Sequence, residues 1–185
     1  MNAPDTGMVP LPGPGVVDQT SRAYNNLFGY GTIGITSLAE QAAATNTSFD
    51  FSFPAGAKVI VMTLSGISTS GTSLPIAQLT DAGGAQATGY RGLVSNTAGT
   101  VVVNNTGFNL TGAQVAAGLY DGKITLHLHG SNIWIADSLV ARTDTNAMYY
   151  MAGGVTLDSE CIGIRLTMVN GTDTFDAGSA AVQWE

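Results

Sequence analysis

Lys123-Ile124-Thr125-Leu126-His127-Leu128-His129 alternates apolar and polar side chains without a break. Successive side chains of a strand point to opposite faces. Ile124, Leu126 and Leu128 therefore make one apolar face, and Thr125, His127 and His129 the other. Gly130-Ser131-Asn132 follows as a run of turn residues, and Ile133 and Ile135 lead the chain back. The stretch from Lys123 to Val140 reads as a β-hairpin.

The same period extends to both sides. Phe49, Phe51 and Phe53 alternate with Ser48, Asp50 and Ser52 as a half-buried strand, and Pro54-Ala55-Gly56-Ala57 turns the chain. Lys58 to Ser65 carries Ile60, Met62 and Leu64 on one face and Val59, Val61 and Thr63 on the other. A strand apolar on both faces is central in its sheet or meets another subunit. Leu74 to Thr80 closes at Asp81-Ala82-Gly83-Gly84, and Val101–Val103 is joined to Phe108–Leu110 through Asn104-Asn105-Thr106-Gly107. Ile162, Ile164, Leu166 and Met168 run through Asn170-Gly171 to Ala177–Trp184 as a further strand pair. Eight to ten strands at this spacing predict an all-β, antiparallel β-sandwich of jelly-roll type over residues 36–185. No internal repeat points to a propeller or solenoid. Thr36 to Thr45 has helical signals, with Ser37 as cap and Glu40 completing a capping box, but few large apolar residues, and reads equally as a loop.

Residues 1–35 differ from the rest. Pro4, Pro10, Pro12 and Pro14 are four of the six prolines and alternate with Gly7, Gly13 and Gly15. Such a segment is extended and has no place in a central strand. Tyr24, Phe28 and Tyr30 then fall close together. The composition predicts an extended anchoring arm, in which Pro10, Pro12, Pro14, Tyr24, Phe28 and Tyr30 order against a partner. The alternative is an arm folded back on its own domain.

Composition narrows the function. Charged residues are 10% of the chain, hydrophobic residues 44%, and the net charge is −7. Gly, Ser, Thr and Asn make up 70 of the 185 residues. Disorder and coiled coils do not fit these values. Arg22, Lys58, Arg91, Lys123, Arg142 and Arg165 are scattered singly, which argues against nucleic acid as a partner. Met1-Asn2-Ala3-Pro4-Asp5 has no basic or apolar region, so no secretory signal is expected, and no apolar run is long enough to insert in a membrane. Cys161 is the single cysteine, expected as a small buried hydrophobe.

Few residues carry a chemical signal. Gly29-Tyr30-Gly31-Thr32-Ile33-Gly34 matches the spacing of a dinucleotide-binding turn, but no parallel βαβ unit surrounds it, so no cofactor is expected. His127 and His129 project from one strand face about 7 Å apart. They would need a third ligand from elsewhere to hold a metal, and a solvated or interface surface is the simpler reading. Asp81, Asp121, Asp144 and Asp158 stand singly in turns, and no G-x-S-x-G elbow occurs. Asp173 and Asp176 flank a turn that could hold calcium, though Asp bonding its own backbone explains them more simply. No catalytic residue is assigned, and the protein is expected not to be an enzyme. Tyr90, Tyr120, Trp134, Tyr149 and Tyr150 are the candidate ligand or interface residues. They suit sugar stacking on an uncharged surface, and suit a protein interface better.

Four motifs occur in order: Ser65-Gly66-Ile67-Ser68-Thr69-Ser70-Gly71-Thr72, Asp81-Ala82-Gly83-Gly84, Thr88-Gly89-Tyr90, and Asn170-Gly171-Thr172-Asp173-Thr174-Phe175-Asp176-Ala177-Gly178. Over residues 48–185 the chain resembles a β-sandwich module of tailed-bacteriophage virion structural proteins, of tail-fibre or virion-associated type. The resemblance implies a non-enzymatic virion protein, assembled in the host cytoplasm and carried on the particle exterior. It implies other virion proteins as partners, a trimeric homo-oligomer, and a host cell-surface glycan as ligand for a receptor-binding fibre. The alternative is a capsid decoration (cement) or head-fibre protein that stabilises the head and binds no ligand. A fibre normally needs a shaft, and none is written here, which favours decoration.

Overall fold

The computed structural model describes residues 35–185, which form one compact unit. Among these residues there are fourteen strands and no helix. They are β1 Thr36–Ser37, β2 Gln41–Ala42, β3 Ser48–Ser52, β4 Val59–Thr69, β5 Pro75–Asp81, β6 Gly84–Ala85 and β7 Arg91–Asn96. The series continues with β8 Val101–Asn104, β9 Phe108–Asn109, β10 Tyr120–Gly130, β11 Ile133–Arg142, β12 Ala147–Thr156, β13 Gly163–Met168 and β14 Phe175–Trp184.

Two antiparallel sheets result. The larger runs β1-β14-β4-β10-β11-β12-β7-β8, with β2 also on β14, and the smaller runs β3-β13-β5-β6, with β9 also on β5. Their inner faces share one core. Phe49, Phe51, Leu79, Ile164 and Leu166 come from the small sheet, and Ile60, Met62, Ile124, Leu126, Trp134, Val140 and Val155 from the large one. This is a β-sandwich. The jelly-roll connectivity expected from turn spacing is finer than this strand order carries, because β10, β11 and β12 follow one another side by side as a meander.

The hairpin expected from Lys123 to Val140 is present as β10 and β11. Ser131 and Asn132 form its turn with φ of 42° and 65°, the mirror-image conformation that matches strand twist. The register shifts between Leu128 and Gly130, and Leu128 then faces Trp134. The core face of the return strand is therefore Trp134, Ala136, Ser138 and Val140, while Ile135 points outward. The strand read at Lys58–Ser65 is central in its sheet, since β4 lies between β14 and β10.

Two expectations are corrected. The Asn170-Gly171 turn does not close a strand pair, because β13 belongs to the small sheet and β14 to the large one. A turn signal reverses the chain but does not choose the sheet it re-enters. The Thr36–Thr45 stretch is not helical. Leu38 N–H donates to Val182 C=O and Ala43 N–H to Gly178 C=O, so the exposed edge of β14 captures it as β1 and β2. Tertiary pairing overrides the propensity of its alanines.

Candidate functional site

Four of the five aromatic candidates are core side chains. Tyr90, Tyr120, Trp134 and Tyr149 are each at most 4% exposed, so none offers a platform to a sugar or a partner. Their roles are structural. On β5, β9 pairs Ile76 and Ala77 while β6 pairs Thr80 and Asp81, which leaves a gap between them. Tyr90 fills it: its hydroxyl accepts the Leu79 N–H at 2.8 Å, and its ring meets Phe108 edge-on at 4.8 Å. Burial pushes its phenol well above the ordinary tyrosine range, so it stays protonated. The Tyr120 and Tyr149 hydroxyls both donate to Ala113 C=O and hold the segment between β9 and β10. Trp134 Nε1 is buried with no acceptor among the described residues. Only Tyr150 is exposed. Pro10, Pro12, Pro14, Tyr24, Phe28 and Tyr30, together with the glycine motif at 29–34, lie outside the described residues.

The remaining chemical candidates are quiet. His127 and His129 are exposed on β10, and among the described residues no group of three or more His, Cys, Asp or Glu is placed to hold a metal. Asp173 is already occupied: one carboxylate oxygen accepts from Asn170 Nδ2 in its own turn and the other from Ser73 N–H of a distant segment. The Asn170 hydrogen bond, then that from Ser73, holds its carboxyl below the ordinary aspartate range. Cys161 is buried, as expected, and desolvation pushes its thiol up to about 11, so it is neutral at physiological pH. It borders a cleft of 280 Å³ at one end of the sandwich, with Lys58, Asn132, Trp134 and Glu160.

What sequence reasoning missed is a surface. Seven of the eleven large apolar side chains exposed among the described residues stand on the outer face of the large sheet. Reading across the strands, Val103 of β8 faces Leu93 of β7, Leu93 faces Ala152 of β12, and Ala152 faces Asp137 of β11. The next row is Val101, Ser95, Tyr150, Leu139 and Lys123. A third is Arg91, Gly154, Ile135 and His127. Val103 is 70% exposed and Leu93 54%. Gly154 keeps the third row flat, since a β-carbon there would stand 3.2 Å from Ile135 Cδ1. The sequence marked β8 and β11 as strands but not β7 or β12. The missing signal was that β7, β8, β11 and β12 lie next to one another, which only the topology supplies.

No family model, curated protein or solved structure matches the chain. The surface itself therefore carries the functional reading. Exposed apolar side chains grouped on one sheet face are the kind of surface through which proteins associate.

Proposed function

We propose that this protein is a non-enzymatic structural component of a bacteriophage virion. In this reading the sandwich is carried on the particle exterior as a homo-oligomer, anchored through residues 1–35, in the manner of a tail-fibre or receptor-binding module. The observation that carries it is the apolar outer face of the large sheet, which suits assembly rather than catalysis. The ordered motifs from Ser65 to Gly178 support it by their likeness to such modules. A second reading, a capsid decoration or head-fibre protein that binds no ligand, is favoured by the burial of Tyr90, Tyr120, Trp134 and Tyr149, which removes most of the aromatic platform a glycan would need.

Labelling the protein on intact particles tests both. Label confined to the tail end supports the fibre reading, and regular label over the head supports decoration. No label on any particle overturns the virion reading. Deleting residues 1–35 should abolish attachment and leave a folded sandwich, and an unfolded product would contradict the anchoring role.

A further inference from the structure

We infer that Asn170 is a deamidation site, gated by the clasp its own side chain helps to close, and that the modification stops the clasp from closing again. The clasp joins the β4–β5 connection to the β13–β14 connection. The inference goes beyond the assembly reading above and stands without it.

Asn170-Gly171 is the only Asn-Gly pair in the chain, and the other ten asparagines each precede a residue that carries a side chain. Deamidation begins when the backbone nitrogen of the next residue attacks the asparagine Cγ, and glycine offers that nitrogen with the least hindrance. The nitrogen gives up its proton, the Cγ–Nδ2 bond breaks and ammonia leaves, which closes a cyclic succinimide. Water then opens the ring to aspartate or isoaspartate. Asn170 and Gly171 are both exposed, so water and hydroxide reach them.

In the closed turn each reacting group is already engaged. Gly171 N–H, the nucleophile, donates to Met168 C=O at 3.0 Å. Asn170 Oδ1 accepts from Thr172 N–H and Asp173 N–H, each at 3.1 Å, and Nδ2 donates to Asp173 Oδ1 at 2.8 Å. Asn170 N–H donates to Ser73 Oγ, and Ser73 N–H donates to the other Asp173 oxygen, both at 3.0 Å. Cγ cannot turn onto the Gly171 nitrogen while its oxygen and its nitrogen are both held. Attack therefore waits for the turn to open, and the open state is a minor population.

The product does not fit the same turn. Hydrolysis replaces the Nδ2 donor by a carboxylate oxygen, which then faces Asp173 Oδ1 with no proton between them. Like charges at that distance repel. The Asp173 carboxylate also lies against Gly71, where an added β-carbon would collide with it, so it has little room to withdraw. Repulsion thus pushes on the same carboxylate that holds Ser73 N–H across the clasp.

Peptide mapping of the full chain, incubated in mildly alkaline buffer with and without urea, tests the gate. Conversion at Asn170 should be roughly tenfold or more slower in the folded chain than in urea. Asp173→Ala should speed it severalfold in the folded chain and leave the rate in urea nearly unchanged. Equal wild-type rates in the two conditions overturn the gate, as does an unchanged folded rate for Asp173→Ala. No conversion in either condition overturns the site. Urea unfolding tests the consequence. Asn170→Asp should lower the midpoint, and Asn170→Asp combined with Asp173→Asn should recover most of the loss, because amide and carboxylate then exchange places. A midpoint unmoved by Asn170→Asp, or a double variant no better than the single one, overturns the claim that the new charge keeps the clasp open.

Discussion

The outer faces of the two sheets are built on opposite terms. On the small sheet, Ser48 and Asp50 of β3 face Thr167 and Arg165 of β13, and the polar groups answer one another. Arg165 Nε donates to Asp50 Oδ1 at 2.6 Å, Ser48 Oγ to Asp50 Oδ2 at 2.7 Å, and Thr167 Oγ1 to Thr47 C=O at 2.9 Å. Ile76 on β5 is covered by the chain at Gly107, whose added β-carbon would stand 2.9 Å from Ile76 Cβ. That face is complete within one chain. The large sheet instead presents Leu93, Leu139 and Tyr150 to solvent beside Asp137 and Arg91. One sheet finishes its outer surface with hydrogen bonds, whereas the other leaves large apolar side chains exposed.

Substitutions on each surface, and in the core they share, separate these terms. The largest effect belongs to the shared core. Trp134→Ala should cost about 3–5 kcal/mol in urea unfolding, because the side chain is buried between the sheets and its removal leaves a cavity. Tyr90→Phe keeps the ring but strands the Leu79 N–H on β5, and should cost about 1–3 kcal/mol with an early loss of amide protection at Leu79. Asp50→Ala removes the most visible ion pair of the small sheet. Both partners are about half exposed, so the change should be about 1 kcal/mol at most, and smaller in high salt. Leu139→Ser on the large sheet should leave monomer stability within about 0.5 kcal/mol, measured at dilution, while shifting the self-association curve. A loss of stability for Leu139→Ser comparable to that for Trp134→Ala would erase the distinction between the faces.

The period-two pattern was enough to place most strands, because each half-buried strand announces its own alternation. Phe49, Phe51, Ile124 and Leu126 face the core as the pattern requires. The pattern failed where both faces of a strand are apolar. Ile133-Trp134-Ile135 has no polar partner to break the tie, and the register shift beside Gly130 decides which side Trp134 takes. It failed again for the aromatics, since Tyr and Trp occupy core and surface with similar ease and only Tyr150 fell outside. The motifs behind the phage resemblance proved to be scaffold. A β-carbon on Gly71 would collide with the Asp173 carboxylate, and one on Gly178 with the Gly66 carbonyl, so both pairs fix how the Ser65–Thr72 segment meets the Asn170–Gly178 segment. Asp81 accepts from Gly83 N–H and from Ser159 N–H in the same spirit. A signature of this kind reports architecture and is silent about ligands.

The position of β14 has a consequence in time. This strand is interior to the large sheet, with β1 and β2 on one side and β4 on the other, and it pairs with β4 from Phe175 to Trp184. A ribosome delivers β4 long before β14. At about 5–20 residues per second, the interval is on the order of ten seconds. Through that wait one edge of β4 stands open, with Ile60, Met62 and Leu64 lacking the cover that Ala180 and Val182 later help to provide. Synthesis order thus makes the nascent sandwich a client for whatever shelters unfinished sheets, and couples its yield to translation speed.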